Sequence, residues 1–268
     1  MSDVPAGARV CQATGLVLVP ARSGIVFRVA KTSYGPLNPP LRADDVVADS
    51  SGWGRWDTHG GRTVYAAGTR QCAFAEVLAF YRRRLGTADS LSEDAAFLGL
   101  SAAELVAQLE AEWQQRGHLP PGHLAQGWRH ERALYRLRLP DAGWWVLLEH
   151  PTSMAVAEAA LGERLAAVGV AALDVAVLRG HQRQATVLLA DWVRGLTLED
   201  GSAAHGIRYD SRHATGAAWA YWLRRVVSHD DDDAASTEPL TALAGERALA
   251  ELDPDLQTVA RRFQLKIW

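Results

Sequence analysis

Short β-forming segments are spread along the whole chain and alternate with helical patterns, and this arrangement most constrains the fold. Strand patterns are predicted at residues 16–19, 25–30, 63–67, 132–139, 144–148, 173–178, 207–209, 219–223 and 265–268. Helical patterns are predicted at residues 69–84, 101–115, 152–168, 182–193 and 256–263. Few of these elements form clean βαβ units, so the sequence predicts an α+β fold. We also expect residues 132–139 and 144–148 to pair as a hairpin.

Charge and hydropathy exclude several classes of protein. The 268 residues are 48% hydrophobic, and 28 basic against 31 acidic side chains give a formal net charge of −3. This balance lacks the basic footprint of a nucleic-acid-binding protein, so we expect no direct nucleic-acid binding. The longest apolar runs, such as residues 143–148, are far shorter than the roughly 20 residues that span a bilayer. We therefore expect no membrane association.

Cysteine usage and the first residues predict the compartment. Two cysteines, Cys11 and Cys72, cannot form a disulfide framework. The segment from Met1 to Pro5 lacks the basic and then apolar pattern of a signal peptide. We therefore expect a soluble cytoplasmic protein, and its many Ala, Arg and Gly residues are common in bacterial chains.

Arg28 is the first polar residue in an apolar setting. It lies in the predicted strand 25–30, and both faces of that strand are otherwise apolar. A partly buried guanidinium needs an anionic partner. That partner is either a structural carboxylate or a bound anion, and the spacing alone leaves both open.

Glu76 occupies a similar position in the helix that Thr69 is predicted to cap. The predicted apolar face of this helix carries Cys72, Ala73, Val77 and Phe80, and Glu76 lies four residues from Cys72 and from Phe80. A carboxylate on the core side of a helix is costly unless something there uses it. A buried ion pair with Arg28 is the alternative to a functional role.

The remaining sequence signals are weak. Ser211 follows a strand, where a serine is usually a turn or cap residue, and no nucleophile-elbow motif surrounds it. No phosphate-binding glycine loop or dinucleotide fingerprint is present. His118, His123 and His130 have spacings typical of no metal site, so we expect no metal. The acidic run from Asp230 to Asp233 indicates a solvated connector.

Several segments in order resemble the RES domain family of NAD-consuming bacterial toxins. That family has an early Arg, a Gly-Arg-Trp-Asn-like stretch, a strand with Tyr, an Ala-x-x-Glu helix segment and a Gly-Ile/Leu-x-Tyr-Pro-Ser segment. The matching segments here are Val26-Phe27-Arg28-Val29, Gly54-Arg55-Trp56-Asp57-Thr58-His59-Gly60-Gly61, Val64-Tyr65-Ala66-Ala67, Ala73-Phe74-Ala75-Glu76-Val77-Leu78 and Gly206-Ile207-Arg208-Tyr209-Asp210-Ser211-Arg212. Each motif alone is weak, and the ordered combination is stronger.

The resemblance implies a fold and a partner. The expected fold is that of the ADP-ribosyltransferases, with curved β-sheets, flanking helices and a helical insertion, and with NAD in a cleft between the sheets. Residues 1–268 would form a single RES-like domain with an elaborated middle region around 86–180. Family toxins degrade NAD by hydrolysis or phosphorolysis, or transfer ADP-ribose, and are silenced by an antitoxin with a DNA-binding helix-turn-helix domain.

The resemblance also implies roles for particular residues. Glu76, Arg28 and Ser211 would be the catalytic set, since a carboxylate stabilises the positive charge that develops on ribose as nicotinamide leaves. The NAD contacts would come from Arg28, Arg55, Trp56, Tyr65 and Ser211. Arg28 and Arg55 suit phosphates. Tyr65 stacks on the nicotinamide, hydrogen-bonds the ribose or packs in the core, and Ser211 orients the nicotinamide ribose or amide.

This sequence also departs from the family pattern. Asp57 stands where Asn is usual, Asp210 stands where Pro is usual, and the middle of the chain is longer than in compact members. The leading hypothesis from the sequence is NAD degradation. The alternatives are ADP-ribosyl transfer to a protein or small molecule, and an inactive module that only binds a partner.

Overall fold

The computed structural model describes residues 5–45, 49–82, 92–115, 122–224, 238–243 and 247–267. Its strands are β1 Arg9–Val10, β2 Val17–Pro20, β3 Ile25–Lys31, β4 Arg62–Ala67, β5 His123–Leu124, β6 Arg132–Arg138, β7 Trp144–Val146, β8 Gly206–Asp210, β9 Ala217–Leu223, β10 Thr241–Ala242, β11 Arg247–Ala248 and β12 Lys266–Ile267. Its α-helices are α1 Arg70–Leu78, α2 Ser92–Phe97, α3 Ala102–Gln115, α4 Gln126–His130, α5 Pro151–Ala167, α6 Val175–Arg179, α7 Arg183–Gly195 and α8 Pro254–Arg262. The predicted α+β class is confirmed.

One large mixed sheet organises the fold. Its strand order is β1-β2-β7-β8-β9-β4-β3-β6-β10, and β11 also pairs with β6. The β7–β8 pair is parallel, and every other pair in this sheet is antiparallel. The short strands β5 and β12 form a separate parallel pair. Strands from both ends of the chain thus join one sheet, while the single-domain organisation stays a prediction.

The predicted hairpin between β6 and β7 is wrong. β6 pairs with β3 on one side and with β10 and β11 on the other, so both of its edges are occupied. β7 instead lies between β2 and β8, where Trp145 and Val146 are fully buried. Burial of this apolar pair between two strands outweighs the closeness of β6 in sequence.

The predicted strand 173–178 is also wrong, because this segment holds the helix α6. The carboxylate of Asp174 caps that helix and accepts a hydrogen bond from the Val177 amide at 2.8 Å. Leu178 is the buried residue of α6. A run rich in valine thus looks like a strand, although the Asp at its start is a helix N-cap signal.

Helix α1 begins as predicted and ends earlier. The Thr69 hydroxyl caps it by accepting a hydrogen bond from the Cys72 amide at 3.1 Å. The helix ends at Leu78 and a 3₁₀ turn follows, while residues 83 and 84 of the predicted span lie outside the described residues. Phe80 is 88% exposed, so its predicted place on the apolar face is wrong. The turn after Leu78 rotates Phe80 away from the core.

Residues that alternate along the central strands divide between two hydrophobic cores on opposite faces of the sheet. On β4, Tyr65 and Ala67 contact the larger core, and Val64 and Ala66 belong to the smaller one. The larger core also receives buried side chains from α1, α5, α7 and α8. The side chains described in the smaller core come from strands and connecting segments. The helices thus cover one face of the sheet.

β3 and β4 share fewer residue pairs than any other two neighbouring strands described in this sheet. A single pair, Phe27 with Ala67, connects these strands, whereas six pairs connect β4 to β9. Beyond that pair no described residues of the two strands are paired, and the Arg28 side chain donates to the Tyr65 carbonyl across this gap. The separation opens a space between the middle of the sheet and helix α1.

Two features are absent from the part of the chain that the structure describes. No helix in the described part of the chain is long and apolar enough to cross a membrane. Within the same residues, no group of three or more His, Cys, Asp and Glu side chains is arranged to hold a metal ion. His118 and the acidic run 230–233 lie outside the described residues.

Candidate functional site

A cavity of about 310 Å³ opens where β3 and β4 separate. This volume is within the range of small-molecule sites. Four residues singled out from the sequence lie in its wall, namely Arg28, Arg55, Tyr65 and Glu76. Four others were missed and also line it, namely Arg183, Tyr209, Arg212 and His213. The structure thus brings together residues that are up to 185 positions apart in sequence, from Arg28 to His213.

Ser211 holds the carboxylate of Glu76 in place through a hydrogen bond. Its hydroxyl donates a hydrogen bond to Glu76 Oε1 at 2.6 Å. The Ser211 hydroxyl oxygen itself accepts hydrogen bonds from the backbone amides of His213 and Ala214, each at 3.1 Å. Ser211 is buried and Glu76 is half-buried, so this bond fixes the carboxylate at the cavity wall. Ser211 is therefore both the turn residue that its position indicates and a contact of Glu76.

Arg28 is buried in the gap between β3 and β4. Its Nη1 donates a hydrogen bond to the Tyr65 backbone carbonyl at 3.3 Å. Its Nε atom has no hydrogen-bond partner among the described residues, and no ion pair to a described carboxylate is present. Burial lowers the pKa of Arg28 to about 10, which still leaves it charged at neutral pH. The alternative of a structural ion pair with Glu76 is therefore not what the described residues form.

Tyr65 presents its ring to the cavity, since its hydroxyl is engaged elsewhere. The hydroxyl donates to Asp57 Oδ1 at 2.9 Å and accepts from the Trp56 amide at 2.9 Å. Burial raises the pKa of Tyr65 well above its ordinary value. A Cβ at Gly54 would lie 2.4 Å from this hydroxyl, so the close approach requires glycine. Of the contacts expected for Tyr65, ring stacking is the one that this arrangement favours.

The aspartate at position 57 has a local explanation. Asp57 is 2% exposed and forms an ion pair with Arg42, whose Nε lies 2.6 Å from Oδ2. Its carboxylate also accepts from the Gly54 amide at 2.9 Å and from the Tyr65 hydroxyl. An asparagine could not neutralise Arg42 in this buried place. The ion pair with Arg42 therefore explains why an aspartate stands at position 57, where asparagine is usual in the family that the sequence resembles.

Arg55 and Trp56 point in different directions. The Arg55 guanidinium lies over the Tyr209 ring at 4.7 Å from its centroid, and Nη2 has no partner among the described residues. Trp56 is fully buried and is not part of the cavity wall. Its carbonyl accepts a hydrogen bond from the Trp222 indole at 2.8 Å. The expected ligand contact from Trp56 is thus not seen, and this side chain anchors the loop that positions Arg55.

His213 is neutral beside the arginines. Burial, together with the nearby charge of Arg212, lowers the pKa of His213 to about 4. Its Nε2 accepts a hydrogen bond from Arg212 Nε at 2.9 Å, as only an unprotonated ring nitrogen can. The described wall of the cavity therefore carries four guanidinium groups and one carboxylate, a formal charge of +3. Such a cavity is suited to an anion.

The missed residues follow motifs that were already in view. Arg212 and His213 directly follow Ser211, and Tyr209 precedes it by two positions. Alternation along β8 was the available signal for Tyr209, since it places that ring on the same face as Ile207. Arg183 is the first residue of α7 and resembles any exposed helix-end arginine in the sequence.

Comparisons with known proteins return little. No family model matches the chain, and no curated protein matches it. Among solved structures, it is similar to a chain of the M. tuberculosis MbcT–MbcA toxin–antitoxin complex. The two are 11% identical, the match covers 91% of this chain and 92% of that one, and the TM-score is 0.41. A similarity of this size carries no argument about function.

Proposed function

We propose that this protein cleaves the bond between nicotinamide and ribose in NAD, with water or phosphate as the acceptor. The observation that carries the proposal is Glu76, a carboxylate fixed by Ser211 in a cavity whose other charged wall residues are four arginines. A dinucleotide offers the matching pair of features, a ribose that becomes cationic and a diphosphate that is anionic. Metal ions have no part in this proposal.

The reaction needs a fixed negative charge near the ribose. When the glycosidic bond breaks, its electron pair leaves with the nicotinamide nitrogen and positive charge develops on C1′ and the ring oxygen. A carboxylate that is already in place stabilises this charge without reorganising. The hydrogen bond from Ser211 orients Glu76 for that task. Water or phosphate then adds to C1′, and water loses a proton as it adds.

The other predicted residues have binding roles in this proposal. Arg28 and Arg55 are buried, and each has a guanidinium nitrogen with no partner among the described residues; an anionic ligand would satisfy both. The Tyr65 ring offers a stacking surface beside them. Ser211 acts through Glu76, because its hydroxyl oxygen already makes three hydrogen bonds.

Nicotinamide release from NAD by the purified protein tests the proposal. We expect release by the wild type and release at least about 100-fold slower by Glu76→Gln, with Glu158→Gln as the control because Glu158 is an exposed carboxylate on α5. Chromatography of the other product distinguishes ADP-ribose, its phosphate and an ADP-ribosylated acceptor. If neither the wild type nor the Glu158→Gln control releases nicotinamide, the enzymatic proposal is rejected and the inactive interaction module remains. A toxin role with a helix-turn-helix antitoxin stays a prediction from the sequence resemblance.

A further inference from the structure

Three of the four cavity arginines are held by one short segment of backbone. Arg55 Nη1 donates to the Leu178 carbonyl at 3.4 Å, and Arg183 Nη1 donates to the Gly180 carbonyl at 3.0 Å. Arg212 Nη1 donates to the same Gly180 oxygen at 3.0 Å and also to the Arg179 carbonyl. The turn between α6 and α7 therefore gathers three guanidinium groups on one wall. We refer to Arg55, Arg183 and Arg212 as the arginine triad.

The members of the triad repel one another. Arg183 and Arg212 share one acceptor, so their Nη1 atoms lie within about 6 Å of each other. Burial and then the charges of Arg55 and Arg183 lower the pKa of Arg212. Burial and then the charge of Arg55 lower the pKa of Arg183. Among the described residues, no member of the triad forms an ion pair with a carboxylate.

Unlike the triad, the neighbouring Arg179 does pair with carboxylates. Its Nη2 lies 2.5 Å from Glu149 Oε2 and 3.8 Å from Asp210 Oδ2. These two carboxylates thus lie close to an arginine that does not line the cavity. The triad keeps its positive charge for the cavity, where Arg55 also has a buried nitrogen without a partner in the described residues.

We propose that the arginine triad is a diphosphate-binding subsite, and that the protein acts on nucleotides in which a diphosphate joins the reacting ribose to the rest of the molecule. The second part rests on the proposed function. Arg212 directly follows Ser211, whose hydroxyl bonds to Glu76, so the subsite begins next to the catalytic carboxylate. In a dinucleotide, the diphosphate is attached to C5′ of the ribose that reacts at C1′. In this binding mode the reacting ribose lies at Glu76 and its diphosphate lies at the triad, in the same cavity.

Three planar guanidinium groups suit two linked phosphates better than one. The described hydrogen bonds of the triad use only Nη1 and Nε, so each guanidinium keeps Nη2 as a donor for a phosphate oxygen. A single phosphate has too few oxygens facing one wall to satisfy three such groups, whereas a diphosphate presents oxygens on two centres. The subsite thus selects a diphosphate nucleotide over a monophosphate.

Calorimetry with ADP and AMP tests the subsite, because these probes share adenosine and differ by one phosphate. We expect the wild type to bind ADP at least about tenfold more tightly than AMP. In Arg183→Gln and Arg212→Gln this preference should fall to about twofold or less. Arg138→Gln is the matched control, since Arg138 is an exposed arginine on β6. An unchanged preference in the two triad variants, or equal wild-type affinity for ADP and AMP, would overturn the proposal.

Two further measurements keep the outcome unambiguous. Should Arg212→Gln fail to fold, Arg212→Lys is measured instead. It keeps the positive charge and loses the Nη2 donor. The subsite then requires that the preference for ADP over AMP still falls at least threefold. Nicotinamide release is measured separately on the same proteins. Triad-dependent ADP binding without any release from NAD would reject the proposed function and support the subsite. Release from NAD with no triad dependence of ADP binding would do the reverse.

Discussion

The arginines on the helix-bearing side of the sheet are held in two different ways. Arg70 and Arg179 form close ion pairs, Arg70 with Asp253 and Asp255, and Arg179 with Glu149. The cavity arginines are held by backbone carbonyls instead, as Arg28 is by Tyr65 and Arg212 by Gly180. A carbonyl dipole fixes a guanidinium in place without neutralising its charge. The ion pairs neutralise the charge of the first set, whereas the charge of the second set is left for the anionic ligand that we propose.

The largest expected effect concerns the one carboxylate among the described wall residues of the cavity. Glu76→Gln keeps the shape of the side chain and removes the charge that faces the developing cation. We expect nicotinamide release to fall at least about 100-fold, since loss of a preorganised electrostatic contact typically costs that much. Rates over a range of NAD concentrations measure it. The circular dichroism spectrum should match that of the wild type, and normal turnover would remove Glu76 from the mechanism.

The ion-paired arginines should matter for stability and not for ligand binding. Arg70→Gln removes the partner of Asp253, which is 3% exposed and caps α8. We expect the free energy of unfolding to fall by about 1–2 kcal/mol, as for other buried charged hydrogen bonds. Urea denaturation measures this.

The matched variant for Arg70→Gln is Arg212→Gln. It relieves repulsion with Arg55 and Arg183, so the unliganded variant should unfold at the same or a higher urea concentration than the wild type. If the two variants lose stability equally, the distinction between the two sets of arginines is wrong.

Much of the fold could be predicted because its signals are local. The Thr69 cap and the strand Ile25–Lys31 depend on neighbouring residues, and both are present. The placement of β7 depends on which strand edges are free, and the helical state of residues 175–179 depends on one capping aspartate. Periodicity reports neither of these.

Some residues of the site could likewise be predicted from local sequence signals, and others could not. Arg28 and Glu76 could be identified because each is a charge in an apolar pattern. Arg183 and Arg212 have no such signal, since both are only partly buried and sit at the ends of elements. The turn between α6 and α7 brings these two arginines together. A strand is predicted at 173–178, so neither α6 nor this turn is expected from the sequence.

A smaller effect is expected at Arg28, where the shape of the cation matters more than its charge. Arg28→Lys keeps a positive charge and loses the paired donors that bridge the Tyr65 carbonyl and the cavity. We expect NAD affinity to fall about tenfold. Calorimetry with Glu76→Gln as the background measures binding without turnover, and Arg138→Lys is the control. Equal affinities would place Arg28 with the structural arginines.

The smallest expected effect is a pH dependence of stability that His213 contributes. In the folded protein its pKa is about 4, because of burial and the charge of Arg212, whereas an unfolded histidine titrates near 6.5. The unfolded chain therefore binds a proton first as the pH falls, so stability is lost between about pH 6.5 and pH 4 and the loss levels off below that. Partial solvent exposure reduces the effect, and we expect about 1 kcal/mol. Urea midpoints of the wild type and His213→Gln at pH 7 and pH 4.5 measure it. The wild type should lose more stability than the variant over this interval, and parallel losses would mean that His213 is already protonated beside Arg212, contrary to its place as a hydrogen-bond acceptor.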